Sequence, residues 1–140
     1  MGDFLSKELS KKNPWWIPRY RYLELRYFCL QYPDWRRKYE LLCYDSGLAS
    51  KSPDKQYVNS SKIADRTAEI AIQRKILSDS MKLVEQAAIE AEPELYHYIM
   101  KAVTEKYGFI DLKRKYCIPC ERDMFYDRRR KFFWLLSKSR

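Results

Sequence analysis

The sequence predicts an all-α fold, in which a kinked N-terminal helix and a long central helix are followed by a C-terminal helix-turn-helix. Apolar residues recur three and four positions apart over most of the chain, which is the spacing of one face of an α-helix. Only 3 Gly and 6 Pro occur among the 140 residues, whereas sandwiches and barrels need many tight turns. We divide the chain into an aromatic-rich helical region with a linker (1–60), a long amphipathic helix (61–91) and a helix-turn-helix module (92–140).

The N-terminal helix is predicted to follow the proline-bracketed apolar stretch NPWWIP at residues 13–18. Pro18 suits the first turn of a helix, because the N–H that proline lacks has no partner there. Pro33 must kink or break this helix, since its ring clashes with the preceding turn. Asp34 then caps a continuation, and residues 45–61 form a linker whose first residues, DSG, end the helix. The helical spacing is carried by Tyr22, Leu23, Arg26, Tyr27 and Leu30.

The central helix is predicted over residues 65–91, with Asp65 as its N-cap. Ile76, Leu83 and Ala87 widen an apolar stripe that recurs at steps of three, four and seven residues. The stripe itself consists of Ile70, Leu77, Met81, Val84 and Ala88. Such a helix either packs back on the first helix or pairs with another copy of the chain as a coiled coil.

A shorter helix is predicted to restart at Pro93 and Glu94, because both residue types suit a helix N-terminus. Gly108 stands where the residue that ends a helix is expected. The buried face between these points is predicted to contain Leu95, Tyr98, Ile99, Ala102 and Val103.

The last two helices form the predicted helix-turn-helix. A two-turn helix at residues 110–116 is followed by the break CIPC at 117–120, because Pro119 disfavours the helical conformation of Ile118. The terminal helix over residues 121–137 has two distinct faces. Its buried face is predicted to hold Met124, Phe125, Phe132, Leu135 and Leu136. This layout is typical of a recognition helix, whose buried side holds it to the preceding helices while its outer side reaches base edges.

The outer side of the terminal helix carries the side chains that we predict to bind double-stranded DNA. Arginine can hydrogen-bond guanine O6 and N7, and aspartate can accept from cytosine N4. The residues assigned to base edges are Arg122, Asp123, Tyr126 and Arg130. Cations beside that face and on the preceding helix are predicted to contact phosphates. They are Arg128, Arg129, Lys131, Lys113, Arg114 and Lys115.

The distribution of charge favours the same partner. The formal net charge is +9, of which residues 1–60 carry +4, residues 61–100 carry −2 and residues 101–140 carry +7. A basic terminal module on a near-neutral body is typical of proteins that bind a polyanion. RNA is the weaker alternative, because no stacking sheet or single-strand groove is predicted.

Three segments of the chain resemble phage proteins. IADRTA at residues 63–68 is similar to the middle region of the RinA and ArpU group of phage transcriptional regulators. IPCERDMFYDRRRKF at residues 118–132 resembles the ending of that group, which in turn resembles region four of sigma factors. The opening, NPWWIP at 13–18 and YFCL at 27–30, is similar to small phage and prophage proteins of Gram-positive bacteria. The resemblance implies a regulator, and more specifically an activator, of phage gene transcription in the bacterial host cytoplasm.

A second class of function is left open by the aromatic residues, which include 12 Tyr and 4 Trp. Those of the N-terminal region exceed what one helix buries, so they either pack against the long helix or form a partner surface. They are Trp15, Trp16, Tyr20, Tyr22, Tyr27, Tyr32, Trp35 and Tyr39. Such a surface would meet a second copy of the chain or host RNA polymerase. The alternative function is therefore a phage interaction protein that binds a host protein, such as RNA polymerase, through its aromatic-rich helices.

Other chemistry is not expected. Cys117 and Cys120 offer only two of the four ligands that structural zinc needs, and His97 is the one histidine. We expect Cys120 to take the place of an N-cap residue instead. The sequence contains neither a phosphate-binding glycine loop nor a nucleophile beside a base, so we expect no enzyme activity and no cofactor. Without a secretory signal or a long apolar run, a cytoplasmic protein with no membrane partner is predicted.

Overall fold

A computed structural model of the protein describes residues 11–49 and 60–140. These residues form α-helices and no β-strand, which confirms the all-α prediction. The α-helices are α1 (Arg19–Leu30), α2 (Tyr32–Ala49), α3 (Ser60–Ala91), α4 (Tyr96–Glu105), α5 (Phe109–Tyr116) and α6 (Arg122–Ser139). A short 3-10 helix, Pro93–Leu95, leads into α4.

The described residues form two compact units. The first contains residues 11–30 and 83–140, and the second contains residues 31–49 and 60–82. The three regions predicted from the sequence are each continuous along the chain, whereas the first unit combines an early segment with a late one. It does so because α1 packs on both α4 and α6.

The core of the first unit is built from α1, α3, α4, α5 and α6. Leu25, Ile99, Phe125 and Leu136 have no exposed surface, and burying side chains of this size stabilises a fold by about 1.5–3 kcal/mol each. α1 contributes the positions three and four apart that face this core. They are Tyr22, Leu25, Phe28 and Cys29. The helix was predicted correctly, but Tyr27, which shares its helical spacing, is 64% exposed.

The break between α1 and α2 lies at Gln31, two residues before the proline that was predicted to cause it. α2 therefore starts at Tyr32, and Asp34 lies inside its first turn rather than at the cap position. The Asp34 carboxylate instead accepts from Arg37 at 3.2 Å. The predicted helix end at residues 45–47 is wrong, because α2 continues to Ala49. The rest of the predicted linker, up to residue 59, lies outside the described residues.

α3 is longer than predicted, and fewer of its apolar residues are buried than the sequence predicted. It begins at Ser60, so Asp65 lies inside the helix and is not its N-cap. The fully buried positions of the helix are Val84, Ala87, Ala88 and Ala91, all of them in its last turns. The prediction that Ile76 widens the buried stripe is wrong, because this residue is 60% exposed. Periodicity alone could not show which part of this stripe is fully buried in the folded chain.

The residue that terminates α4 is not the glycine that the sequence predicted. Lys106 adopts the left-handed conformation with φ 63°, which residues other than Gly, Asn and Asp rarely adopt. Gly108 instead precedes α5 as its N-cap, with φ −84°. The predicted buried face of α4 is largely confirmed, since Leu95, Ile99, Ala102 and Val103 are buried. Tyr98 is half-buried.

Candidate nucleic-acid interface

α5, the following turn and α6 form the helix, turn and helix that were predicted. The Gly108 N–H donates to the Asp111 Oδ2 at 3.2 Å, which satisfies one donor at the start of α5. Cys117 reverses the chain in the left-handed conformation, with φ 52°. Ile118 is buried, and its N–H donates to the Leu112 carbonyl at 3.4 Å. The turn is thereby attached to the core, and α6 begins at Arg122.

The inner face of α6 fits the prediction in part. Phe125, Phe132 and Leu136 are fully buried, and Leu135 is half-buried. Met124 was assigned to this face but is 40% exposed, so that assignment is wrong.

Phe133 was not predicted to be buried, yet only 2% of its surface is exposed. Its ring meets the Tyr22 ring of α1 edge-on, with centroids 4.9 Å apart. The buried face of α6 is rotated away from Met124 and toward Phe133, because α1 packs on that side. The periodicity of α6 alone carried no signal for this neighbour.

The first two turns of α6 carry the side chains that were predicted to read bases. Arg122 and Asp123 are exposed, while Tyr126 and Arg130 are half-buried. The Arg122 guanidinium lies 5.8 Å from the centroid of the Tyr126 ring. This surface presents both hydrogen-bond donors and a carboxylate acceptor, which are the groups that distinguish base pairs in the major groove.

The basic run at residues 128–131 does not form one surface. Arg128 was predicted to contact phosphate, but its Nε and Nη1 lie 3.1 Å from carboxylate oxygens of Glu92 and Asp127 respectively. Glu92 belongs to the α3–α4 connection, so Arg128 joins α6 to that connection. Two carboxylates beside one guanidinium offset its positive charge and occupy its donors, so it attracts a phosphate only weakly.

Arg129 is half-buried and lies with its guanidinium 5.6 Å from the Phe133 ring centroid. Its Nε is buried and has no hydrogen-bond partner among the described residues. The same guanidinium acts on Cys29 of α1. Burial raises the pKa of that thiol to about 12, and the positive charges of Arg129 and Arg140 oppose the rise. Arg129 therefore faces α1 more than it faces solvent.

Arg130 and Lys131 are the cations of this run that remain available. Neither has a carboxylate within 4.0 Å in the part of the chain that the structure describes. Their side chains are half-buried. The structure thus places Arg130 next to the predicted base-reading residues and places Lys131 one step further around the helix.

The three cations of α5 lie on the surface, as the predicted phosphate contacts require. Lys113, Arg114 and Lys115 are all exposed and occupy the last turn of α5. Burial raises the pKa of the Cys120 thiol, and the positive charge of Lys113 partly opposes this rise. Lys113 therefore lies close to the turn that precedes α6.

The N-terminal segment, residues 11–18, packs against the second half of α6. The Trp15 and Trp134 rings meet edge-on, with centroids 5.1 Å apart. Of the aromatics that were left unassigned, Trp15 and Tyr22 thus pack on α6, while the Tyr39 ring has its centroid 5.5 Å from the Arg74 guanidinium of the long helix. Tyr20 is 85% exposed. The segment leaves the first half of α6 as the part of its outer face that can enter a groove.

The cysteines do not form a metal site in the described residues, where no group of three or more Cys, His, Asp or Glu side chains is placed to hold an ion. Cys117 and Cys120 are free thiols. The prediction that Cys120 takes an N-cap place is wrong, because Glu121 is the N-cap of α6.

Comparison with known proteins gave no match among protein-family models, curated proteins or solved structures. The resemblance to phage transcriptional regulators therefore stays a prediction from the sequence. Within residues 11–49 and 60–140, no helix combines the length and the apolar character needed to cross a membrane.

Proposed function

We propose that this protein binds double-stranded DNA in a sequence-specific manner, with the first half of α6 in the major groove, and that it regulates transcription of phage genes. The observation that carries the proposal is the arrangement of α6. Phe125, Phe132 and Leu136 attach one face to the core, while Arg122 and Asp123 stand exposed on its first turn. A helix so held can present base-reading groups without first being ordered, which lowers the entropic cost of binding.

We propose a smaller set of DNA-binding residues than the sequence alone suggests. Base edges are assigned to Arg122, Asp123, Tyr126 and Arg130. Phosphate contacts are assigned to Lys113, Arg114, Lys115 and Lys131. Arg128 and Arg129, which the sequence also assigned to phosphates, instead contact a carboxylate and an aromatic ring of the protein respectively. We therefore assign both of them to the stability of the fold.

The test is a selection of bound duplexes from a random pool, followed by titration of the selected and a scrambled duplex. Arg122→Ala is expected to weaken binding to the selected duplex by about 1–3 kcal/mol and to relax base preference. Lys82→Ala, an exposed cation of α3, is the matched control and should leave the preference unchanged. If Arg122, Tyr126 and Arg130 all become Ala without a change in affinity or preference, while the fold is intact, α6 does not read DNA.

The alternative function, binding of a host protein, is favoured by one observation. Tyr20 and Tyr27 of α1 are 85% and 64% exposed, and exposed tyrosines are common at protein interfaces. Salt dependence separates the two functions, because DNA affinity falls steeply as salt rises. Capture of one host protein by the wild-type chain but not by a Tyr20→Ala variant, together with no retention on immobilised DNA, would favour this function.

A further inference from the structure

Tryptophans and lysines interleave where the N-terminal segment meets the second half of α6. The Lys138 Nζ lies 3.5 Å from the centroid of the Trp134 ring, and the Lys131 Nζ lies 5.5 Å from that of Trp15. The two rings contact each other edge-on. Positions 131, 134 and 138 recur at steps of three and four, so they share one side of α6. We call Trp15, Lys131, Trp134 and Lys138 the tryptophan seam.

The two segments that meet at the tryptophan seam contain no acidic residue. Residues 11–22 carry four cations and residues 128–140 carry six, with no Asp or Glu in either segment. Three of these ten cations, Arg21, Arg128 and Arg140, pair with carboxylates outside the two segments. Glu24, which follows the first segment, is engaged by both Arg21 and Arg140 at 2.8 Å. In the described part of the chain, Lys131 and Lys138 have no carboxylate within 4.0 Å.

This concentration of positive charge raises the electrostatic free energy of the isolated protein. Like charges on facing segments repel one another at low ionic strength. The indole rings attract the ammonium groups through their negative faces, but a ring carries no net charge and neutralises nothing. A polyanion that lies across the tryptophan seam would neutralise these charges and release its own counterions.

We propose that the tryptophan seam binds the sugar–phosphate backbone of the same DNA duplex whose major groove receives the first half of α6. This inference rests on the proposed function and extends it to a second contact surface. The rise of an α-helix places Lys138 about 24 Å along the axis from Arg122, whereas the major groove is about 12 Å wide. A helix that crosses the groove from its first turn therefore brings its second half onto the adjoining backbone.

An anionic membrane is the other partner that tryptophan and lysine together suggest, since both residue types are common at lipid headgroups. The geometry favours DNA, because the two indoles are half-buried against each other and do not project as an apolar anchor. Lys131 also belongs to the same helix as the predicted base-reading residues, so one duplex could meet both surfaces.

The experiment uses a double variant, the seam variant, in which Lys131→Gln and Lys138→Gln are combined. It is compared with the wild-type chain and with a control double variant. The control combines Lys62→Gln and Lys82→Gln, which removes the same charge from exposed positions of α3. Affinity for a selected 30-bp duplex is measured over a range of salt, and melting curves establish that each variant is folded. The seam variant is expected to lower the slope of log K against log salt by about 1.8, since each phosphate contact contributes about 0.9. The ratio of selected to scrambled affinity should stay within twofold.

Each remaining outcome is decisive. An unchanged slope in the seam variant, with base preference retained, would overturn the inference together with the assignment of Lys131 to a phosphate, and would leave base reading by the first half of α6 standing. Equal wild-type affinity for selected and scrambled duplexes, with the slope still lower in the seam variant, would overturn sequence-specific reading and keep the seam as a backbone contact. Seam-dependent binding to vesicles containing phosphatidylserine, with no change in DNA binding, would assign the seam to a membrane instead.

Discussion

Replacing Arg128 should destabilise the first unit and should not remove a phosphate contact. The sequence predicts a phosphate contact, whereas the structure pairs Arg128 with Glu92 at 3.1 Å. The side chains of this pair are 31% and 20% exposed, so the pair lies between the surface and buried classes. Surface pairs contribute about 0.2–1 kcal/mol, and breaking a buried pair costs about 3–5 kcal/mol. We expect a coupling energy of about 1–2 kcal/mol.

The assay is a double-mutant cycle with Arg128→Gln and Glu92→Gln, read by denaturant unfolding. The cycle isolates this pair from the second contact of Arg128, which is with Asp127. Each single variant should also lower the melting temperature by about 3–8 °C, as expected for a domain of this size. Arg130→Gln is the matched control, because it removes the same charge from the same run and should change stability by less than about 0.5 kcal/mol.

DNA binding supplies the second measurement for this prediction. Arg130→Gln should lower affinity for the selected duplex, whereas Arg128→Gln should leave the salt slope of the folded protein unchanged. A coupling energy near zero, together with a slope lowered by about 0.9 in Arg128→Gln, would refute the reasoning. Arg128 would then be a phosphate contact, as the sequence predicted.

Three further predictions concern the stability of the first unit. Phe132→Ala should reduce the free energy of unfolding by about 3–5 kcal/mol in a denaturant titration, because its ring is fully buried, whereas Met124→Ala should cost far less; equal losses would contradict this packing. Because burial raises the pKa of Cys29 to about 12, the unfolded state loses this proton first. Stability should therefore fall by up to about 1.4 kcal/mol per pH unit between pH 9 and 12, and less steeply in Cys29→Ala. Lys106→Gly should raise stability by about 1 kcal/mol by relieving a left-handed residue; a destabilised variant would show that this conformation carries no strain.

Helix type and most helix breaks could be predicted from the sequence, because both depend on neighbours along the chain. Apolar spacing located the six helices, and Pro33 and Pro119 lie next to two of the breaks. Exact ends were less predictable. Lys106, not Gly108, takes the left-handed position, and Gly108 instead serves as the N-cap of α5.

The candidate site divides in the same way. The basic character of the last forty residues and the apolar face of α6 are predictable before folding, since charge and periodicity are properties of the residues alone. Which cations stay available depends on the packing of the helices, because Arg128 pairs with Glu92, 36 positions away. The packing also brought Trp15 to Trp134 across almost the whole chain. Such contacts depend on which helices pack together, and one helix's own sequence does not encode its neighbours.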